Sequence, residues 1–284
     1  MRSLKLAGGL PILCLALAVS LRAQTAIDPQ PEVRAALERL VEQPLPRTVP
    51  EGKLSFAISH RPWNEAFEDP LRDFFGYDGG LLRVRLDLRL GLPWGFDAGL
   101  VRTNGVLTEA YDAWSGDLRL ARNLRILEGI AMDLGLQGGG TWFEQEDAPD
   151  AFAPWGWTGL GVSFGRRVWL GGGLEVHGNS SSPWKKATDE DHTIGAHLEA
   201  LARGTDGFAL GAELAHPVAG YGLDVPAWIV GPRWNTWNHS FCLWLGNGRS
   251  GGPDGRLVGA KEWGATVLGF QIVREGTLWE PARP

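Results

Sequence analysis

Charged residues recur at every second position in one segment of this chain. Between residues 82 and 90 the even positions are Leu or Val, and the odd positions are Arg83, Arg85, Asp87 and Arg89. Later segments repeat the pattern and add Asp117, Arg119 and Asp133. Alternate side chains of a strand share one face, so these seven charges are predicted to line one enclosed space. Buried charges need partners, which predicts a salt-bridged plug or a narrow pore that selects solutes by charge.

A second group combines imidazoles and carboxylates on three consecutive segments. Its members are Glu175, His177, His197, Glu199 and Glu213. Neutral imidazoles together with carboxylates can bind zinc or another divalent metal. Their spacing matches no recognised ligand motif, so a hydrogen-bonded network is the alternative, and no cofactor is predicted.

Motifs for catalysis are weak. His239 and Ser240 are adjacent in a predicted strand, so their side chains point to opposite faces and cannot pair directly. The glycine runs at 138–140 and 171–173 lack the Lys-Ser or Lys-Thr of a phosphate loop. A passive protein is therefore predicted, with an enzyme or a metal-binding protein that uses the His/Glu group as the alternative.

The elements that position these residues are short strands, because the apolar period is two from residue 53 onward. Twelve are predicted: 53–61, 81–92, 95–104, 113–122, 126–141, 154–165, 168–177, 191–203, 207–215, 226–234, 238–246 and 263–274.

The connections between these strands alternate between long polar loops and tight turns. This alternation is typical of outer-membrane barrels, which have long external loops and short periplasmic turns. Tryptophans are predicted to form two interfacial girdles, one near the loops (Trp63, Trp142, Trp155, Trp184, Trp228, Trp263) and one near the turns (Trp94, Trp169, Trp237). We therefore predict an all-β, antiparallel, up-and-down transmembrane β-barrel of about twelve strands. The alternative is a soluble periplasmic barrel that binds a small ligand and turns its aliphatic positions inward.

The N-terminal region predicts export. Residues 1–23 have basic residues, an apolar stretch and a small residue at position 23, as in a secretory signal peptide. Residues 24–52 are predicted to form a short periplasmic helix and a Pro-rich linker, residues 53–274 the barrel, and residues 275–284 a C-terminal tail. Cys14 lies in the signal, so Cys242 would be left without an internal disulfide partner.

Net charge narrows the classes of partner. The chain has a formal charge of −6, and loss of residues 1–23 would make it more negative, because the segment contains basic residues and no acidic residue. An acidic chain disfavours nucleic-acid binding. After the signal no apolar run is long enough for a membrane-spanning helix.

Three short stretches resemble the signature of the DUF5777 family. They are the run 56–61, which ends Ser59-His60-Arg61, the run 74–78, and Tyr111-Asp112; residues 239–241, 247–249 and 268–272 resemble the closing strands of the same family. The resemblance covers roughly residues 52–274 and implies an outer-membrane or secreted β-barrel without an assigned activity. His60 and Arg61 are expected to cap the barrel mouth by hydrogen bonds to residues 62–80.

The sequence as a whole predicts a bacterial outer-membrane barrel that serves as a structural scaffold or a narrow passive channel. The partners that this prediction implies are outer-membrane lipid and the barrel assembly machinery.

Overall fold

The computed structural model describes ten stretches of the chain: residues 46–61, 83–106, 111–144, 151–178, 191–205, 207–222, 224–236, 239–247, 263–264 and 266–280. All of them belong to one compact unit, Arg34–Pro284. The predicted signal peptide and the predicted helix before residue 46 lie outside these stretches. Within them, no helix is long and apolar enough to cross a membrane.

The described residues form a closed, up-and-down, antiparallel barrel, as predicted. Each strand pairs with its neighbours in sequence, and β1 pairs with β12 to close the wall. The twelve strands are β1 (Lys53–Arg61), β2 (Arg83–Leu92), β3 (Phe96–Val106), β4 (Tyr111–Leu127), β5 (Ile130–Glu144), β6 (Ala151–Phe164), β7 (Val168–Gly178), β8 (His192–Thr205), β9 (Phe208–Ala219), β10 (Ala227–Thr236), β11 (His239–Gly246) and β12 (Val267–Thr277).

The connections distinguish the two ends of the barrel. At one end, here called the turn end, neighbouring strands are two or three residues apart in sequence; at the other, the loop end, the gaps are four residues or more. The turn Pro93–Gly95 is a single 3-10 turn in which Trp94 has φ 58°. Proline at its first position fixes the entry to the turn, while Trp94 adopts a left-handed conformation that is uncommon for a bulky residue. The predicted alternation of short and long connections is confirmed.

The two faces of each strand have opposite environments. In β2 the residues Arg85, Asp87 and Arg89 are at most 4% exposed, whereas Leu86 and Leu88 are 37% and 40% exposed. The charged positions therefore face the space enclosed by the barrel, the lumen, and the aliphatic positions face outward. The alternative arrangement, with the aliphatic positions inward, is wrong.

Several predicted boundaries differ from the observed ones. The turn predicted at residues 123–125 lies instead at Glu128–Gly129, and β4 continues to Leu127. Asparagine is common in turns, but the side chain of Asn123 donates a hydrogen bond to Asp133 inside the barrel. The chain reverses direction at Gly129 instead, where φ is 75°. The last strand is also shifted and runs to Thr277, beyond the predicted end of the barrel at residue 274.

The predicted tryptophan girdles are only partly correct. Trp94, Trp142 and Trp263 are exposed, whereas Trp63, Trp184 and Trp237 lie outside the described residues. Trp155 and Trp169 were expected at the interfaces, but both face the lumen and are buried, together with Trp157 and Trp244. Glycines next to two of these rings leave the space that the rings occupy: a Cβ on Gly159 would lie within 2.5 Å of the ring of Trp157, and a Cβ on Gly161 would lie 2.5 Å from the ring of Trp169.

Candidate functional site in the barrel lumen

Arg89 is the centre of a buried network of charges in the lumen. Its Nη1 donates to Asp97 Oδ1 at 2.8 Å, and its Nη2 donates to Asp117 Oδ1 and Oδ2 at 2.9 and 2.8 Å. Its Nε lies 3.6 Å from Asp87 Oδ1, and Arg85 Nη2 donates to Asp87 Oδ2 at 3.0 Å. The spacing of two residues between Arg85, Asp87 and Arg89 places all three on the inner face of β2. The predicted pairing of these charges is thus observed for the described side chains; that of Arg83 is outside the described part.

Asp97 is a second centre of the network and is not among the residues predicted from the sequence. Its side chain is fully buried and accepts hydrogen bonds from Nε and Nη2 of Arg119, in addition to Arg89. It also accepts from the backbone N–H of Val49 at 2.8 Å. The sequence of β3 does contain the alternating pattern, because Phe96, Ala98 and Leu100 alternate with Asp97. Glycines on the polar face of that strand weaken the difference in polarity between its two faces.

Asp133 was predicted to pair with an arginine of the barrel wall, but a residue before β1 takes this place. Arg47 donates from Nε to Asp133 Oδ2 at 2.8 Å. Asn123 Nδ2 donates to Oδ1 at 2.6 Å and Trp169 Nε1 donates to Oδ2 at 3.0 Å. Both oxygens of this buried carboxylate are therefore hydrogen-bonded. The C-terminal part of the predicted periplasmic linker, residues 46–50, thus lies inside the barrel at the turn end.

These contacts determine what the charges can do. Removing an ion from water costs several kcal/mol, which close partners and hydrogen bonds offset. Each of the acids Asp87, Asp97, Asp117 and Asp133 has an arginine within hydrogen-bonding or ion-pair distance. The network is consequently a set of internally neutralised pairs, and it is suited to rigid closure of the lumen more than to attraction of solutes of one charge.

Four of the five residues of the predicted His/Glu group form two separate pairs. Near the loop end, His177 Nε2 lies 2.8 Å from Glu175 Oε1, and the ring of Trp155 stacks on His177 at a centroid distance of 6.0 Å. Nearer the middle, Trp157 Nε1 donates to His197 Nε2. This bond assigns the proton of a neutral His197 to Nδ1, which lies 2.9 Å from Glu199 Oε1.

The register explains why these residues do not converge. His177 pairs with Thr193 and His197 pairs with Gly173, so the two imidazoles differ in height by four residues. At about 3.3 Å per residue this is about 13 Å along the strands, too far for one metal ion to bind both. Glu199 and Glu213 are register partners, two residues from the level of His197, whose own partner in β9 is Ala215. Within the described residues, no group of three or more His, Cys, Asp or Glu side chains is placed to hold a metal ion.

The residues of the family-like motif occupy different sides of the wall. Ser59 faces the lumen and accepts a hydrogen bond from Gln271 Nε2 at 3.0 Å, across the closing pair of strands. His60 faces outward and stacks on Phe270, with ring centroids 4.8 Å apart. The side chain of Arg61 and residues 62–80 lie outside the described part, so the expected capping of the mouth stays a prediction. His239 and Ser240 lie on opposite faces, as expected, with Ser240 inward and buried.

Comparisons with known proteins give similarity in architecture. No family model matches the chain, and no curated protein matches it. Among solved structures, the KdgM porin has a TM-score of 0.47 and 7% identity, covering 78% of this chain and 97% of that one. The outer membrane phospholipase A from Escherichia coli has a TM-score of 0.48 and 11% identity, covering 87% and 98%. The Salmonella typhi enzyme, solved as a dimer with bound calcium, has a TM-score of 0.47 and 12% identity over the same shares. The strand pairing of the chain itself makes it a closed barrel of twelve strands.

Proposed function

We propose that this chain is a bacterial outer-membrane barrel that serves as a structural scaffold with a closed lumen. The observation that supports this most directly is the distribution of side chains across the wall. Exposed outward positions include Leu86, Leu100, Leu118, Leu160, Leu174 and Leu198, whereas the buried inward positions hold the paired Arg/Asp network. An apolar outer surface of this extent on a closed barrel matches a lipid environment and would be unfavourable in water.

The partners in this proposal are outer-membrane lipid, which would cover the outward aliphatic positions, and the machinery that assembles barrels in that membrane. Membership in the DUF5777 family, for which the run 56–61 and the later motifs argue, is part of the same proposal. No part of it requires a cofactor or a nucleic acid.

Fractionation of cells that express the full chain tests the proposal. The protein is expected in the detergent-insoluble outer-membrane fraction and should migrate faster on an SDS gel before boiling than after it, because closed barrels resist SDS until heated. Soluble periplasmic protein that shows no shift on boiling would contradict it.

A narrow passive channel is the second candidate, and one observation favours it. The turn end of the lumen is closed partly by residues 46–50, which are a chain segment and not part of the wall. Conductance of the full chain in planar bilayers tests this candidate. Replacing Arg83, Arg85 and Arg89 by glutamine should change conductance or ion selectivity if ions pass the network; no conductance in either form would support the closed scaffold.

A further inference from the structure

We infer that the turn end of the lumen contains a guanidinium-binding site, and that Arg47 occupies it from within the same chain, so that residues 46–50 act as a tethered plug. The site is formed by Asp133 of β5, Ser163 of β6 and Trp169 of β7. The inference concerns the same lumen as the proposed function and deepens it, since it identifies the removable part of the closure and the class of ligand that competes with it.

The contacts of Arg47 are those of a ligand in a built site. Its Nε donates to Asp133 Oδ2 at 2.8 Å and its Nη2 donates to Ser163 Oγ at 2.9 Å. Its Cζ lies 5.9 Å from the centroid of the ring of Trp169. A carboxylate, a hydroxyl and an aromatic face are the groups that recognise a planar guanidinium, whereas an ammonium cannot form the same fork of bonds.

The site is organised by residues other than Arg47. Asp133 is 1% exposed and is oriented by the donors Asn123 and Trp169, both of which belong to the wall. Without a cation this carboxylate would be buried against two neutral donors, which is costly. The side chain of Arg47 retains 19% exposure, so it is not sealed off from solvent. The pocket thus requires a cation and can exchange it.

The inner wall is also shaped to accept the backbone of the segment. A Cβ on Gly91 would lie 1.8 Å from the carbonyl oxygen of Pro50, and a Cβ on Gly135 would lie 2.6 Å from the Cα of Pro46. Between these contacts Val49 is 2% exposed and donates its N–H to Asp97. The segment therefore fits closely at both ends. Its side-chain hydrogen bonds to Asp133 and Ser163 are both made by the guanidinium of Arg47. We expect loss of this one guanidinium to release it.

Accessibility of position 49 tests whether the segment is a plug. In the full chain carrying Val49→Cys, Cys14→Ala and Cys242→Ala, purified in detergent, a small charged thiol reagent should label the thiol at position 49 slowly, because the position is buried. Adding Arg47→Ala should speed labelling by at least roughly tenfold, the factor that about 1.4 kcal/mol of lost closure gives. The matched control is Arg274→Ala, since Arg274 lies on the outward face of β12 and is exposed. Equal labelling rates with and without Arg47 would overturn the plug.

Binding of ethylguanidinium tests the chemistry of the site. At about 10 mM it should raise the midpoint temperature of the boiling-dependent gel shift of the Arg47→Ala variant. It should have no such effect on the chain with Arg47 intact, and ethylammonium should have little effect on either, by the geometric argument above. Faster labelling without this selective rise would overturn the guanidinium site. If Arg47→Ala does not give a heat-modifiable barrel, Arg47→Lys replaces it with the same expected direction.

Both measurements use detergent-purified protein, so they do not depend on where the barrel resides in the cell. Failure of the proposed location would appear in the fractionation, and failure of the plug would appear in the labelling.

Discussion

Asp97→Asn is the substitution that most directly probes the buried charge network. The change preserves the shape of the side chain but removes the negative charge that Arg89 and Arg119 share. Breaking a buried ion pair by removing one partner costs about 3–5 kcal/mol, because the other charge stays buried without its compensation. Asp117 and Asp87 still neutralise Arg89, so we expect the lower end, about 3 kcal/mol. This corresponds to more than about a 100-fold reduction in the folding equilibrium constant.

The assay is equilibrium unfolding of the refolded barrel in lipid vesicles, followed by tryptophan fluorescence and by the gel shift over a urea series. Asp112→Asn is the matched control. Asp112 accepts from Arg102 Nη2 at 2.7 Å, but both side chains lie on the outer surface and are 32% and 46% exposed. Exposed pairs contribute about 0.2–1 kcal/mol. Equal losses for the two variants, or a loss below about 1 kcal/mol for Asp97→Asn, would refute the view that burial makes this network important.

Three further predictions concern the wall and the lumen. Trp244→Ala should cost about 3–5 kcal/mol, because this ring is almost completely buried in the lumen, whereas Trp94→Ala at the exposed turn should cost far less; urea unfolding of both compares them. Leu88→Arg should cost about 2–4 kcal/mol in vesicles if this outward position of β2 faces the bilayer; a change below about 0.5 kcal/mol would indicate a water-facing wall. Replacement of both His177 and His197 by Ala should leave the metal content of washed protein unchanged, since the register separates the imidazoles; a drop measured by elemental analysis would contradict this reading.

Much of the fold could be predicted from the sequence because one pattern determines it. The alternation of Arg85, Asp87 and Arg89 with leucines assigns both the strand and its two faces, and a closed barrel requires this alternation in every strand. The predicted strand boundaries were least accurate where a residue type fits both a turn and a strand. Asn123 suggested a turn because asparagine is common in turns, although three further pairs of residues extend β4 and β5 beyond it.

The lumen was less predictable, because its contacts depend on register and on chain segments outside the repeat. Asp97 shares a face with glycines, so no contrast marked it as part of the network. Arg47 lies in a segment that has no strand periodicity, and only the folded barrel brings it to Asp133, 86 positions later in the chain. Trp155 and Trp169 were misassigned because a tryptophan near a strand end has the same composition signal whether it points to lipid or to the lumen. The direction follows from parity, which should have taken precedence over position.

The position of residues 46–50 inside the barrel affects the order in which the strands can pair during folding. The seam between β1 and β12 joins residues as far apart as Ser59 and Gln271, 212 positions along the chain. Contacts this distant are slow to form, since the search for them precedes any gain from pairing. The segment before β1 instead binds β3, β5, β6 and β7, all in the first part of the wall. It can therefore hold the start of β1 against a half-formed sheet, so that the last strand to emerge meets a fixed edge.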